Sequence, residues 1–254
     1  MPGDELLGGG AAEQETDVER SRIVSELVAG VSGLSPSEAP GALCRNCLAL
    51  LPEVAGLSIS MPADGSDRGV VLCASDDVAA RLAELQYTLG EGPCREATRL
   101  RAPVFATNLT RAPDTRRWPL FSVQATKAGV EAVFSLPLAG TGTPLGTLDL
   151  YQKTPGSLSA DRLRTALLVA DAVTLTVLAL DQASPDFEGV VTWLPGAESD
   201  REEVHQATGM IMMQLGVSAE EALLRLRARA VTHGRTATEV ARAIIERTMD
   251  LRDD

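Results

Sequence analysis

The C-terminal fifty residues carry the most regular spacing of apolar and polar positions in the chain. Val204, Thr208, Ile211 and Leu215 recur at helical intervals, as do Ala222, Leu223, Leu226 and Ala230, and then Val240, Ala241, Ile244 and Ile245. Each set makes one face of an amphipathic helix. Three helix starts of one chemical form precede them: Ser199-Asp200-Arg201-Glu202, Ser218-Ala219-Glu220-Glu221 and Thr236-Ala237-Thr238-Glu239. All three fit the capping box, in which a hydroxyl accepts from the N–H three residues on and the Glu reaches back to the cap's own N–H. Gly216 and Gly234 stand two residues before the second and third boxes, where the preceding helix takes a left-handed terminal residue. The joints Leu215-Gly216-Val217 and His233-Gly234-Arg235 are short enough to force consecutive helices together. Residues 199–254 therefore predict an all-α three-helix unit.

Upstream the pattern is mixed. Val18, Ile23, Leu27 and Val31 predict a helix from Thr16, with residues 1–16 read as a disordered tail. Ser35-Pro36-Ser37-Glu38 opens a second helix, with Pro at its first position, running to about Leu51. Short β-type bursts follow at Gly56–Ser60, Gly69–Ala74, Pro103–Asn108, Ala132–Pro137 and Leu145–Tyr151. Helices are expected between them at Asp76–Tyr87 and Trp118–Lys127, and Gly140-Thr141-Gly142-Thr143-Pro144 reads as a hairpin loop. A final helix, Asp161–Leu180, is apolar around much of its girth and so should be buried on more than one side. Residues 17–182 thus predict an α+β sandwich, an antiparallel sheet flanked by helices. Pro185, Gly189, Pro195 and Gly196 mark a linker over residues 183–198.

Composition narrows the partners. The net charge is −12, against the basic footprint of a generic nucleic-acid or membrane-surface binder. Residues 200–254, however, hold eight Arg against ten Asp or Glu, so most of the acidity lies outside the helical unit. The N-terminus lacks the charged and apolar regions of an export signal. The longest apolar run, Leu167–Leu180, is broken by Asp171 and falls short of the about twenty residues a membrane span needs. These features predict a cytoplasmic protein with reduced cysteines.

Cys44-x-x-Cys47 falls on a predicted helix, with Cys73 and Cys94 elsewhere in the sandwich. A Cys₄ metal site or a redox pair is one reading. Packing as small core hydrophobes is the preferred one, because metal sites usually bring two paired hooks and only one is present. Both histidines, His205 and His233, lie in the helical unit, which leaves the sandwich without an imidazole for haem. No metal, cofactor or catalytic residue is expected.

Leu89-Gly90-Glu91-Gly92-Pro93-Cys94-Arg95-Glu96-Ala97, Pro103-Val104-Phe105, Arg117-Trp118-Pro119-Leu120-Phe121, and Ser135-Leu136-Pro137-Leu138 followed by Leu145-Gly146-Thr147-Leu148-Asp149-Leu150-Tyr151 together resemble GAF domains of bacterial regulators. The resemblance implies a sensory fold for a small-molecule or redox signal, often dimeric through flanking helices. The stretch from Gly90 to Ala97 is also similar to the loop of free methionine sulfoxide reductases, which would make Cys94 an attacking thiol. Such an enzyme needs a resolving thiol nearby, and residues 95–182 contain no cysteine.

On the first C-terminal helix, Gln206, Gly209, Met210 and Met213 share the face opposite the apolar stripe. A mid-helix Gly costs about 1 kcal/mol relative to Ala, so Gly209 reads as a point of close approach. Arg225 and Arg229 share a flank of the second helix, a pattern that by itself denotes a solvated face. Arg201, Val204-His205-Gln206-Ala207-Thr208-Gly209-Met210-Ile211-Met212, Gly216-Val217-Ser218, Glu221-Ala222, Leu226-Arg227, Ala230, Val240-Ala241 and Ile244-Ile245 look like an ANTAR domain. That family comprises three-helix RNA-binding modules that hold paired leader-transcript hairpins in antitermination. The resemblance, with the arginine flank, points to Arg201, Thr208, Gly209, Met210, Arg225, Arg229 and Arg235 as RNA-facing. Thr208 stands where the family commonly has lysine, removing one phosphate contact. Two hairpins call for a homodimer. A competing reading makes the helical unit a protein-docking piece through Met210, Met213, Leu224, Ala228 and Val231.

Overall fold

The computed structural model describes residues 8–35, 37–62, 69–139, 144–182 and 195–249. Five strands, β1 (Gly56–Pro62), β2 (Gly69–Ala74), β3 (Val104–Ala106), β4 (Ala132–Leu138) and β5 (Gly146–Gln152), form one antiparallel sheet in the order β2-β1-β5-β4-β3. All five predicted strands are present. The hairpin loop expected at 140–144 lies, but for Pro144, outside the described residues, and Leu138 pairs with Gly146 across it.

Strand parity divides the sheet's surroundings. Phe134, Leu136, Leu138, Leu148 and Leu150 point to one side, where they pack with α1 (Gly8–Val31), α2 (Ala39–Leu50) and α7 (Ala160–Gln182). Val133 and Tyr151 point to the other, against α3 (Asp77–Leu89), α4 (Pro93–Leu100) and α6 (Pro119–Lys127). The four-residue helix α5 (Asp114–Arg117) precedes α6. α7 buries Ala166, Leu168, Val169, Ala170, Ala172, Val173 and Val177, the wide apolar girth expected of it.

Three expectations are corrected at the N-terminal side. α1 begins at Gly8, inside the stretch read as a disordered tail, because Ala11-Ala12-Glu13-Gln14-Glu15 is a run of strong helix formers. Val18 is 70% exposed rather than part of the buried stripe. α2 starts at Ala39 with Pro40 in its first turn, while Pro36 lies outside the described residues; Glu38 instead accepts from the Ser35 hydroxyl ahead of the helix. Cysteine packing also differs from expectation: Cys44 on α2 and Cys73 on β2 form a disulfide, whereas Cys47 is a buried free thiol whose pKa burial pushes up to about 12.

The C-terminal unit consists of α8 (Pro195–Leu215), α9 (Ala219–Thr232) and α10 (Ala237–Ile245). Its core is Val204, Ala207, Ile211, Ala222, Leu226, Ala230, Ala237, Val240, Ala241 and Ile244. Gly216 and Gly234 take the left-handed conformation that ends each helix and turns the chain into the next. The third box forms in full: Thr236 Oγ1 accepts from Glu239 N–H at 3.1 Å, and Glu239 accepts from Thr236 N–H at 2.6 Å. At the second, Ser218 caps Glu221 N–H, but the Glu221 carboxylate is engaged by Arg225 at 2.5 Å. The first is overturned, since α8 already runs through Ser199; Pro195, preorganised for a first helical turn, starts it four residues earlier. The end of the segment read as a linker is therefore helical, and residues 183–194 lie outside the described residues.

Candidate nucleic-acid interface and the Cys94 turn

Of the predicted RNA-facing residues, Thr208 and Gly209 line a cleft between α8 and α9, and Met210, Arg225, Arg229 and Arg235 lie outside it. Thr208, Gly209, His205 and Met212 of α8 face Ala219 and Leu223 across a space of about 150 Å³. The remaining wall is Tyr87, from α3 of the sandwich. Thr208 is half-buried and donates its hydroxyl to Val204 O at 2.6 Å. Gly209 is exposed, and a methyl added there would meet nothing within 4 Å. Met213 is 86% exposed, as its face predicts. Met210, expected on the same outer face, is half-buried against the helical core, because it sits at the edge of the stripe one residue from Ile211.

The arginines are not equivalent. Arg225 is paired with Glu221, and Arg235 donates to Glu239 O at 3.0 Å. Arg229 is half-buried on α9, and the side chain of Arg201 lies outside the described residues. Leu224 and Val231 are exposed on the outer side of α9. Sequence reasoning placed Arg227 in the family motif but missed its contact with the sandwich, where its guanidinium lies 4.9 Å from the Tyr87 ring centroid. No local signal marks that contact, because its partner is a domain away in sequence.

The sandwich presents its own unusual chemistry on the α3/α4/α6 side. Ser58, Asp149 and Ser135 stand opposite one another on β1, β5 and β4, and all three are buried. The Ser135 hydroxyl donates to Asp149, and Thr147 Oγ1 donates to its other oxygen at 3.1 Å. Burial raises the Asp149 carboxyl to about 6 against the downward pull of these two bonds. Burial, with the charge of Asp149 adding to it, pushes the Cys94 thiol well above its ordinary value. That opposes the thiolate an attacking Cys94 would require. The motif around Cys94 is structural as well. Glu91 accepts from the N–H groups of Leu120 and Phe121, capping α6, and Gln86 accepts from Cys94 N–H at 2.8 Å. A side chain at Gly92 would meet Gln86 Oε1 at 2.5 Å, so only glycine lets the turn close on α3. Asp149 could have been singled out in the sequence as a charge between Leu148 and Leu150 in a strand buried on both faces.

An antiparallel sheet covered by helices on both sides, with a buried polar row beneath a short helix and an appended three-helix unit, defines a sensory domain joined to a helical output module. The chain belongs to the GAF family: the GAF domain model matches residues 37–177, and the ANTAR domain model matches residues 194–245, C-terminal to it. The ANTAR domain implies RNA-binding antitermination regulation, and the GAF domain a signal sensor beside it.

Several solved structures are similar to the sandwich. The GAF domain of a phosphoenolpyruvate-protein phosphotransferase from Coxiella burnetii is 14% identical, with a TM-score of 0.48 over 66% of this chain and 97% of that one. The corresponding Acinetobacter GAF domain is 14% identical, with a TM-score of 0.47 over 70% and 98%. A type II free methionine-R-sulfoxide reductase from Thermoplasma acidophilum is 15% identical, with a TM-score of 0.41 over 56% and 91%. No curated protein matches the chain. Among the described residues, no helix is long and apolar enough to cross a membrane.

Proposed function

We propose that this chain is a cytoplasmic transcription antitermination regulator whose ANTAR domain binds paired RNA hairpins in leader transcripts under control of a signal read by the GAF domain. The observation that carries the reading is the ANTAR match over residues 194–245, with Thr208, Gly209, Arg225, Arg229 and Arg235 on the unit it covers. An acidic chain gains little from diffuse attraction to RNA, so recognition is local, through arginines and the shape of the stem. The protein acts as a homodimer, one output unit per hairpin. Exposed Leu167, Leu175 and Leu178 fall on one face of α7, beside α1 with its exposed Val18, and this apolar face suits a second copy. The same exposure at Met213 and Leu224 favours the competing protein-docking reading.

Binding of the full chain to a synthetic RNA of two hairpins, compared with a single hairpin and with duplex DNA of equal length, decides between the two. Preference for the tandem hairpins by a species of dimeric mass is expected. Equal, weak binding to all three would transfer the unit to a protein partner.

A further inference from the structure

The face of α3 turned away from the sheet is occupied by the output unit. Ala237 N–H, in the first turn of α10, donates to Thr88 Oγ1 at 3.0 Å, a buried bond between residues 149 positions apart. One residue on, Thr238 Oγ1 donates to Glu84 at 3.0 Å, and Arg81 lies 3.9 Å from Glu239, the acid of the α10 capping box. Tyr87 is 5% exposed and belongs to the core of the three-helix unit rather than to that of its own domain. Arg81, Glu84, Tyr87 and Thr88 recur at the helical spacing of a single face, so one face of α3 supplies these polar and aromatic contacts, while α8 also meets β2.

On its other side α3 meets the turn from Gly90 to Cys94 that opens α4. Gln86, between the docking residues, is buried and holds Cys94 N–H at the start of α4, beside buried Asp149. A shift of the turn or of α4 therefore displaces α3, and with it Thr88 and Tyr87.

We infer that α3 is the latch of this regulator: its outer face holds the ANTAR unit in a closed arrangement, and displacement of α3 from the sensory side releases it to bind RNA. The inference rests on the RNA-binding reading above. Closure masks the interface in two ways. The Arg227 guanidinium lies 4.9 Å from the Tyr87 ring centroid, so this cation of α9 is turned toward the sensor in the docked arrangement. Tyr87 also walls the cleft at Thr208 and Gly209, so a stem approaching that motif meets the sensor as the opposite wall. In a two-state equilibrium the apparent affinity is lowered by the fraction of open molecules, and each latch bond removed restores part of it.

Two isosteric variants of the full chain test the latch from its two sides: Thr88→Val, which removes the acceptor of Ala237 N–H, and Thr238→Val, which removes the bond to Glu84. Hydrogen exchange at Ala237 and titration with a synthetic two-hairpin RNA are measured on the same samples, and unchanged exchange in β4 and β5 verifies that the sandwich is intact. The expected result is faster exchange at Ala237 in Thr88→Val, with RNA binding tightened about three- to ten-fold in both variants. Unchanged exchange in Thr88→Val would overturn the inference, because α10 would then not be held by α3. Faster exchange with unchanged or weaker RNA binding would also overturn it, since the docked arrangement would then be the binding state. If wild type and variants all fail to bind RNA, the RNA-binding reading itself fails, and exchange at Ala237 alone decides whether the latch exists.

Discussion

The two domains build their cores differently. The GAF sandwich rests on a wide apolar layer between the sheet and α1, α2 and α7, in which Phe134, Leu136, Leu148 and Leu150 are fully buried. The three-helix unit contains no aromatic residue of its own, and its core of Val, Ala, Leu and Ile is completed by Tyr87 from the other domain. A large core is self-sufficient and gives a fixed frame, whereas a small one that borrows a side chain depends on where its neighbour stands. That dependence makes the unit suitable as an output: its stability and its exposure are both set by the sensor.

The sharpest contrast should come from truncating one aromatic in each core. Phe134→Ala opens a cavity in the apolar layer and should cost about 3–5 kcal/mol, lowering the cooperative unfolding of the whole sandwich. Tyr87→Ala removes a ring from the junction and should cost less, about 2–3 kcal/mol. Its loss should fall on the helical unit, with hydrogen exchange rising in α9 and α10 while β4 and β5 stay protected. Equal loosening of both domains by Tyr87→Ala would break the comparison, because the helical unit would then not be the dependent partner.

The sandwich also has a weak point of its own, and it is polar. Asp149 titrates near 6 when folded against an ordinary 3.8, so the folded chain holds this proton more tightly than the unfolded chain. Stability should therefore fall as pH rises from about 4 to 6, with the full penalty of roughly 2–3 kcal/mol present above that range. Asp149→Asn retains partners for Ser135 and Thr147 without the charge, and should remove this slope. Glu239, held below its ordinary range mainly by its bond to the Thr236 backbone, gives the opposite trend at lower pH, and it does so in both proteins. The difference between wild-type and variant urea midpoints at pH 4, 5, 6 and 7 isolates Asp149. Parallel pH profiles would remove Asp149 as the sensitive group.

The sequence was most legible where structure is local. The Ser218 and Thr236 caps and the turns at Gly216 and Gly234 are decided within a few residues, and the five strands follow from short apolar bursts between turn residues. Local chemistry misled at Ser199, where a valid capping pattern lies downstream of a proline better suited to start the helix. What stayed hidden was pairing across distance. Cys44 meets Cys73 because α2 crosses β2, and Tyr87 meets Arg227 because a domain docks. Neither leaves a periodic trace. The output unit divides the same way: the positions of Gly209 and Arg225 follow from helical spacing, whereas the contact of Arg227 with Tyr87 emerges only from the docked sensor.

The smallest effect is expected at Gly209, where the two demands on the output unit, stability and access, have opposite signs. A mid-helix glycine that permits close approach can serve either tight packing between the unit's own helices or the approach of an outside partner. Gly209 is exposed, and a methyl there would meet nothing within 4 Å, so packing within the unit does not require glycine. Gly209→Ala should stabilise α8 by up to about 1 kcal/mol through the smaller backbone entropy of alanine, raising the melting temperature of the helical unit slightly. If glycine is retained because an RNA backbone passes at that point, the same methyl should weaken two-hairpin binding while the fold gains stability. Melting and RNA affinity measured on one preparation separate the alternatives. A variant that melts higher and binds RNA as tightly as the parent would show that the glycine serves no contact with the transcript, and the interface would then have to be redrawn around the arginines of α9.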